Sequence, residues 1–229
     1  MKPSEFDYLE RPKQFGREDF WQQVRRTING QPLSDDQIQL IVQQIAKGLS
    51  LDQSDKLLDI GCGNGALTVL LAPFAGEILG VDYSEYLIGI AQEHFESPKL
   101  KFLELSIERM IEDKLNGSFG KALLYGVSSY LCDDLVERLT AWYFSRAGKS
   151  AMFIGNVRDK RYAAEFYKEA RGDQELSDHT TSIGKWRTKE WFIELGQRLE
   201  LQVEFMKMPS MFYLSSYYFD VLFKRLESA

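Results

Sequence analysis

The stretch that decides the fold is Leu57-Leu58-Asp59-Ile60-Gly61-Cys62-Gly63-Asn64-Gly65. Its continuous apolar start is typical of a strand buried on both faces of a parallel sheet. Glycines at alternate positions permit a tight turn and let a ligand come close to the backbone. The next residues, Ala66-Leu67-Thr68-Val69-Leu70-Leu71-Ala72, have helical apolar spacing. The sequence therefore predicts a strand, a glycine loop and a helix whose N-terminal N–H groups favour an anionic ligand group.

A second apolar run, Ile78-Leu79-Gly80-Val81, predicts another buried strand that ends at Asp82. A carboxylate at a strand end can accept hydrogen bonds from both hydroxyls of a ribose. The glycines alone also satisfy the relaxed dinucleotide pattern G-x-G-x-x-[GA], so a nicotinamide dinucleotide remains an alternative ligand. Asp59 favours a different ligand, because an acid just before the first glycine can meet a cationic amino group. A ligand with an ammonium, a carboxylate and a ribose fits these residues best.

From Leu57 to Glu104 the sequence resembles the class I S-adenosylmethionine-dependent methyltransferases, whose first motif reads as this chain does from Leu57 to Gly65. The resemblance implies S-adenosyl-L-methionine as the cofactor. The cofactor contacts it implies are Asp59, Gly61, Cys62, Gly63, Asp82, Tyr83, Ser106, Ile107 and Tyr125. Family members often have Asp where Ser106 stands, and a hydroxyl replaces only part of that acceptor capacity. Two other functions stay open: an NAD-dependent oxidoreductase and a non-catalytic S-adenosylmethionine-binding module.

Strands and helices alternate along the middle of the chain, which predicts an α/β fold with right-handed crossovers and a mostly parallel sheet. Two final strands, Leu201–Met208 and Tyr217–Arg225, follow one another without a helix and predict an antiparallel hairpin. The resemblance implies a Rossmann-like sheet of seven strands. We predict one methyltransferase domain over residues 1–229, with an N-terminal helical cap (1–50), a cofactor-binding core (51–155) and substrate-side helices, lid and hairpin (156–229).

Two helices are predicted in the N-terminal cap, at Arg17–Thr27 and Ser34–Lys47. The second begins with Ser34-Asp35-Asp36-Gln37, which has the pattern of a capping box. A leading helix folded over the cofactor would allow Arg25 or Arg26 to pair with the cofactor carboxylate. A surface helix is the alternative interpretation.

Composition narrows the classes of partner. The formal net charge of −6 argues against broad binding to nucleic acid, which depends on neutralising many phosphates. We see no apolar run of about twenty residues, so no membrane span is expected. The polar first residues do not resemble a secretory signal, which predicts a cytoplasmic location.

Cys62 and Cys132 lack the spaced partners of a zinc site and are expected to be reduced thiols. Oligomeric state is left open.

The acceptor should lie near Tyr125–Tyr130, because ligands of open α/β sheets bind at the carboxyl ends of strands. This segment lacks the Asn-Pro-Pro-Tyr of amino-methylating DNA enzymes and the Pro-Cys of cytosine-C5 enzymes. It is more similar to small-molecule methyltransferases, which favours a hydroxyl of a sugar or related metabolite. Thr27–Ser34 and Tyr217–Asp220 are loosely similar to bacterial methyltransferases of polysaccharide pathways, although Tyr218 replaces an expected Arg. O- and N-methylation are not separated by these patterns.

Two basic stretches, Arg158–Arg161 and Lys185–Lys189, follow the predicted fifth strand. They either lie in solvated loops or clamp an anionic acceptor such as a phosphorylated sugar. A second group of residues, around the turn of the final hairpin, could wall the acceptor pocket: Met206, Met208, Met211, Phe212 and Tyr213.

A hydroxyl acceptor needs a general base, because a neutral alcohol is a poor nucleophile. His179, which follows Asp178 in a predicted lid at Gly172–Gly184, is the leading candidate catalytic residue. A solvated loop histidine is the alternative. Tyr125, Asp178 and Asp220 are further candidates that the sequence does not rank. His94 is predicted to be structural, at a helix C-terminus, and Asp133 and Asp134 to start a helix.

Overall fold

The computed structural model describes residues 8–115, 117–146 and 150–225, and nine strands lie within them. They are β1 (Thr27–Ile28), β2 (Gln31–Pro32), β3 (Lys56–Ile60), β4 (Glu77–Asp82), β5 (Leu100–Glu104), β6 (Lys121–Tyr125), β7 (Ala151–Arg158), β8 (Leu201–Met206) and β9 (Tyr218–Arg225). β1 and β2 form a small hairpin, and the other seven form one sheet in the order β5-β4-β3-β6-β7-β9-β8. Strands β3 to β7 pair in parallel, while β9 pairs antiparallel with both β7 and β8.

Helices cover both faces of this sheet. They are α1 (Phe20–Gln23), α2 (Asp35–Leu49), α3 (Ala66–Leu71), α4 (Glu85–Phe95), α5 (Ile107–Arg109), α6 (Asp133–Arg146), α7 (Ala163–Tyr167), α8 (Asp173–Leu176) and α9 (Lys189–Arg198). Successive side chains of β3 point to opposite faces: Leu57 joins the cluster under α2 and α4, whereas Leu58 joins the cluster under α6 and α9. A core on each face explains why β3 reads as an unbroken apolar run.

The predicted fold class is confirmed, including the seven-stranded sheet and its C-terminal antiparallel hairpin. α6 begins at Asp133, as predicted, and β8 and β9 are one or two residues shorter than the two predicted final strands. None of the helices in the described ranges combines the length and apolarity needed to cross a membrane.

The predicted helix at Arg17–Thr27 is wrong. Only α1 is helical there, and the chain then enters the β1–β2 hairpin. Asn29 and Gly30 both have positive φ, at 51° and 80°, as a tight two-residue hairpin turn requires. The helical path ends before this turn, since Arg25 has a positive φ of 57°.

The predicted capping box at the start of α2 is also not formed. Ser34 occupies the N-cap position, but its side chain makes no capping hydrogen bond. Gln37 instead donates to the Met211 carbonyl at 3.0 Å and accepts from the Tyr213 N–H at 3.0 Å. Long-range contacts to the loop before β9 have thus displaced a local interaction.

Candidate active site

The glycine loop joins β3 to α3 at the carboxyl end of the sheet. Gly61, Gly63 and Gly65 have φ of 74°, 58° and 76°, a region that side chains disfavour. The N–H groups of Gly61 and Cys62 donate to the Val81 carbonyl at 2.7 and 3.0 Å. These bonds fix the loop against the end of β4.

Asp82 is buried at the end of β4 and holds the loop from the other side. Its Oδ2 accepts from the Gly63 N–H at 3.0 Å, and its Oδ1 accepts from the Ser84 N–H at 2.9 Å. Burial raises the pKa of this carboxyl group, and the backbone hydrogen bonds from Ser84 and Gly63 oppose that rise. The Tyr83 N–H is a third backbone donor to this carboxylate. A carboxylate has about four acceptor sites, so acceptor capacity remains for a ribose.

Asp59 lies below the loop on β3 and is 3% exposed. The Thr68 hydroxyl, on α3, donates to its Oδ2 at 2.6 Å. Burial is the main cause that raises the pKa of Asp59 to about 6, and the charge of Asp82 adds to it. The Thr68 bond and the charge of Arg26 act in the opposite direction. A cation bound next to Asp59 would favour its ionised form.

The remaining predicted cofactor contacts divide into two groups. Ser106 and Ile107 begin α5 directly after β5, where Leu105 N–H donates to the Asp82 carbonyl at 2.9 Å. Ser106 caps this helix by accepting from the Arg109 N–H at 3.3 Å. These residues therefore lie beside Asp82. Tyr83 follows Asp82 and is 49% exposed.

Cys62 and Tyr125 are buried within the core under the site. The Cys62 thiol lies 3.6 Å from the Gly63 carbonyl, and burial raises its pKa far above the ordinary value, so it is an unreactive neutral thiol. Burial and the charge of Asp220 raise the pKa of Tyr125, which keeps its hydroxyl protonated. Neither side chain is suited to acid–base or nucleophilic chemistry in its present environment.

Residues 8–33, which we call the N-terminal strap, cover the glycine loop. A Cβ atom built at Gly63 would lie 2.9 Å from Cγ1 of Val24. The Asn64 amide donates to the Phe20 carbonyl and to Oε1 of Gln23, both at 2.8 Å. The Phe20 ring in turn makes an edge contact with His94, with 5.2 Å between ring centroids. The strap thus packs directly against the glycine loop.

Arg25 and Arg26 extend from the strap in different directions, because Arg25 has a positive φ of 57°. The Arg26 guanidinium lies 4.7 Å from the centroid of the Tyr125 ring and donates to the Tyr125 carbonyl at 3.2 Å. Arg25 donates to the Ser182 carbonyl at 2.7 Å. Of the two arginines that the sequence suggested for the cofactor carboxylate, Arg26 is the one beside the end of β6.

His179 lies in the loop after α8, where it is partly exposed. The carboxylate of the preceding Asp178 accepts from the N–H and the hydroxyl of Thr180, at 2.8 and 2.7 Å. These bonds lower the pKa of Asp178, which makes it a weaker base. Asp220 is buried and accepts from the Asn156 N–H at 2.8 Å and from the Gln44 amide at 3.0 Å. Burial raises the pKa of Asp220 to about 6.

The two basic stretches are largely neutralised by carboxylates of this chain. Arg161 pairs with Asp159 at 2.6 Å, and Lys160 pairs with Asp173 at 3.1 Å. Arg187 and Lys185 both pair with Asp133, at 3.0 and 2.6 Å, which gives that helix-start residue a second structural role. These pairs favour the structural interpretation of the two stretches over a phosphate clamp.

Of the hairpin-turn residues predicted to wall the acceptor pocket, some are buried in the core and some are exposed. Met208 and Phe212 are buried in the core cluster under α2, whereas Met211 is 71% exposed. Tyr213 lies at the edge of this core cluster, and its backbone N–H donates to Oε1 of Gln37.

Sequence reasoning missed a cluster formed by Tyr8, Tyr130, Arg158 and Tyr218, which we call the tyrosine–arginine cluster. Arg158 is buried at the end of β7, and its Nη2 donates to the Tyr130 hydroxyl at 3.3 Å. Its guanidinium lies 5.6 Å from the Tyr130 ring centroid and 5.7 Å from that of Tyr218. The Tyr8 ring packs edge-on against Tyr130 at 4.8 Å. The apolar run before Arg158 was the one sequence signal that this arginine ends a buried strand.

Comparison with known proteins agrees with this geometry. Residues 57–143 match a family described as a methyltransferase domain. The ribosomal RNA small subunit methyltransferase A of Thermotoga maritima is 30% identical over 115 residues, which cover 50% of this chain and 39% of that relative. The ubiquinone biosynthesis O-methyltransferase of Methylococcus capsulatus is 38% identical over 61 residues, which cover 26% of each chain. The matched stretches thus span less than half the length of these relatives.

Among solved structures, the N-methyltransferase NodS from Bradyrhizobium japonicum in complex with S-adenosyl-L-homocysteine superposes with a TM-score of 0.61. The match covers 97% of this chain and 100% of NodS, at 14% sequence identity. At this identity the similarity establishes a common fold over nearly the whole chain.

Proposed function

We propose that this chain is a class I S-adenosylmethionine-dependent methyltransferase that methylates a hydroxyl of a small molecule, such as a sugar or a related metabolite. The match of residues 57–143 to a methyltransferase domain and the shared fold support this proposal. The observation that carries this proposal is the geometry of Asp82. Its carboxylate is fixed at the end of β4 by the N–H groups of Gly63 and Ser84, next to a loop of three left-handed glycines. A ribose placed over that loop meets an immobilised acceptor.

The cofactor has complementary partners in this cleft. Asp82 would accept from the ribose hydroxyls, and Ser106 and Ile107, beside it, would contact the adenine. Asp59 would lie near the ammonium group, where a cation offsets the cost of ionising a buried carboxyl group. Arg26, which is held over the end of β6 by the Tyr125 carbonyl, would pair with the cofactor carboxylate.

The sulfonium supplies a good leaving group, so this chain need only hold an acceptor oxygen in line with the S–CH3 bond. The acceptor O–H loses its proton to a base, its lone pair forms the new C–O bond, and the C–S electron pair returns to sulfur. The sequence predicts His179 as the base. For that role, His179→Ala has to lower the methyl-transfer rate by about 10²- to 10⁴-fold with little change in cofactor affinity.

A hydroxyl acceptor is supported by the O-methyltransferase name of one relative. The carboxylate pairs of Arg161, Lys160, Arg187 and Lys185 favour an uncharged sugar over a phosphorylated one. The net charge of −6 is unfavourable for nucleic acid, although one relative is named for ribosomal RNA.

Calorimetry with S-adenosylmethionine, S-adenosylhomocysteine and NAD tests the cofactor directly. We expect the first two to bind with low-micromolar or tighter affinity and NAD not to bind. The reverse order would overturn the assignment. A mass-spectrometric screen of methyl transfer to free sugars and sugar phosphates then tests the acceptor class. Cofactor binding without turnover of any acceptor would instead indicate a non-catalytic binding module.

A further inference from the structure

Among the residues that the structure describes, no carboxylate forms an ion pair with the buried guanidinium of Arg158. The hydroxyls of Tyr218, Tyr130 and Tyr8 act on this guanidinium, as does that of Tyr213, and its Nε is buried without a hydrogen-bond partner. The neighbouring Arg161 differs, because it forms a bidentate pair with Asp159 through bonds of 3.0 and 2.6 Å. Burying an uncompensated charge is costly, so the cluster favours a negative charge on one of its own phenols.

Tyr130 is the phenol best placed to carry that charge. It receives the hydrogen bond from Arg158 at 3.3 Å and is only partly buried, whereas Tyr218 is 6% exposed. Burial alone raises the pKa of Tyr130, but Arg158, Arg25 and the Tyr8 hydroxyl together lower it below its ordinary value. Burial raises the pKa of both Tyr8 and Tyr218, which remain neutral donors.

The surroundings of Tyr130 come from four parts of the chain. The strap contributes Tyr8 and Arg25, β7 contributes Arg158, and β9 contributes Tyr218. The loop after α8 contributes the Ser182 carbonyl, which accepts from the Tyr130 hydroxyl at 3.3 Å. In the turn that carries Tyr130, the Ser129 carbonyl accepts from the Lys185 N–H at 2.6 Å.

The position of Tyr130 matches the acceptor side of the cleft. It lies in the short helical turn Ser128–Tyr130, directly beyond the end of β6. Val127 comes directly before this turn and would lie 2.5 Å from a Cβ atom built at Gly61. The segment after β6 therefore packs against the glycine loop. Tyr218 lies close enough to both Arg26 and Arg158 for each charge to act on its hydroxyl. The cluster is therefore continuous with the proposed cofactor site.

We propose that Tyr130 is the catalytic residue that removes the proton from the acceptor hydroxyl, and that Arg158 is the positioning residue that holds its hydroxyl. This inference rests on the proposed function and gives the base a different identity from His179. In the step, the acceptor O–H proton moves to the Tyr130 oxygen while the acceptor oxygen bonds to the methyl carbon. The C–S pair returns to sulfur and yields the neutral thioether. Tyr130 then releases its proton to solvent.

The first test is an ultraviolet titration of tyrosinate in the cofactor-free chain, which needs no substrate and no turnover. We expect the wild type to show one tyrosine that ionises below the ordinary pKa of about 10. Tyr130→Phe should remove that step, and Arg158→Gln should move it to higher pH. Tyr162→Phe is the matched control, because Tyr162 also lies beside an arginine, 5.7 Å from Arg161, but that arginine is paired with Asp159. The control should retain the low step.

The second test is the pH dependence of methyl transfer with whichever acceptor the screen identifies. Tyr130→Phe should lower kcat by about 10²- to 10⁴-fold while the KM for S-adenosylmethionine stays nearly unchanged. Arg158→Gln should move the rising limb of the profile to higher pH, and His179→Ala should leave it in place. Loss of the limb in His179→Ala would overturn the proposal and assign the proton to His179.

A Tyr130→Phe chain that retains the low tyrosinate step would also overturn the proposal, as would a wild type that lacks one. Cofactor calorimetry separates these outcomes from failure of the proposed function. A chain that binds no S-adenosylmethionine contradicts the methyltransferase proposal, whereas normal cofactor binding with an unshifted Tyr130 contradicts only the assignment of the base.

Discussion

Asp82→Ala is the substitution that most directly tests the cofactor geometry. Asp82 makes two sets of bonds: its oxygens accept from the backbone N–H groups of Gly63 and Ser84, and they would accept from both ribose hydroxyls. Hydrogen bonds to a charged group contribute about 1.5–3 kcal/mol each, but water replaces part of what the ribose loses. We therefore expect a loss of binding free energy of about 2–3 kcal/mol, which is a weakening of about 30- to 160-fold.

The same substitution removes the acceptor of these backbone N–H groups in the apo chain, so a moderate fall in Tm should accompany the loss of affinity. Titration calorimetry with S-adenosylhomocysteine measures the affinity, and circular dichroism checks the fold. Asp82→Asn keeps an uncharged carbonyl acceptor, so its affinity should lie between those of the wild type and Asp82→Ala. Asp134→Ala is the matched control, because that carboxylate is 74% exposed at the start of α6. Equal affinity of Asp82→Ala and the control would refute the ribose assignment.

Three further predictions concern the same cleft. Gly63→Val should abolish measurable cofactor binding in calorimetry, because Gly63 has a φ of 58° and Val24 lies 2.9 Å from the new Cβ atom. Arg26→Ala should weaken S-adenosylmethionine more than an analogue that lacks the carboxylate, and equal weakening of both would contradict the pairing. The pKa of Asp59 is raised to about 6 from an unfolded value of about 3.9, so the neutral form stabilises the apo chain at low pH. Its contribution to the free energy of unfolding should be complete below about pH 4 and decline up to about pH 6, and Asp59→Asn should remove that dependence in urea titrations. Cofactor binding near pH 5 should release a proton from Asp59, seen as a buffer-dependent calorimetric enthalpy that Asp59→Asn lacks.

The core of the fold could be predicted because its signals are local. The apolar run of β3, the alternate glycines and Asp82 at the end of β4 each depend on a few neighbouring residues, and the structure places these elements where the sequence indicated. Burial on both faces makes such strands readable as continuous apolar runs. The last two strands were readable for a related reason, since no helix separates them.

The strap and the tyrosine–arginine cluster depend instead on contacts between distant parts of the chain. Arg158 looks like the first member of a basic loop, but it is the last residue of β7 and pairs in register with Tyr218 of β9. That register includes an irregularity between Ile154 and Val157, where Asn156 adopts a positive φ of 60°. A bulge of this kind redirects the side chains that follow it, and no pattern in the sequence specifies it. The environment of Tyr130 could therefore be found only from the structure.

The strap connects the two halves of the proposed reaction. Val24 and Arg26 contact the glycine loop and the end of β6, where the cofactor would bind, while Tyr8 and Arg25 act on Tyr130 on the acceptor side. Arg25 and Arg26 are adjacent in sequence, yet the left-handed backbone at Arg25 directs them to different sites. With the strap seated as it is, Tyr8 and Arg25 lie against Tyr130 while Val24 and Arg26 lie against the glycine loop and the end of β6. Because ionised Tyr130 depends on those two groups as well as on Arg158, the base would be strongest when the cleft is covered and water is excluded from the methyl group.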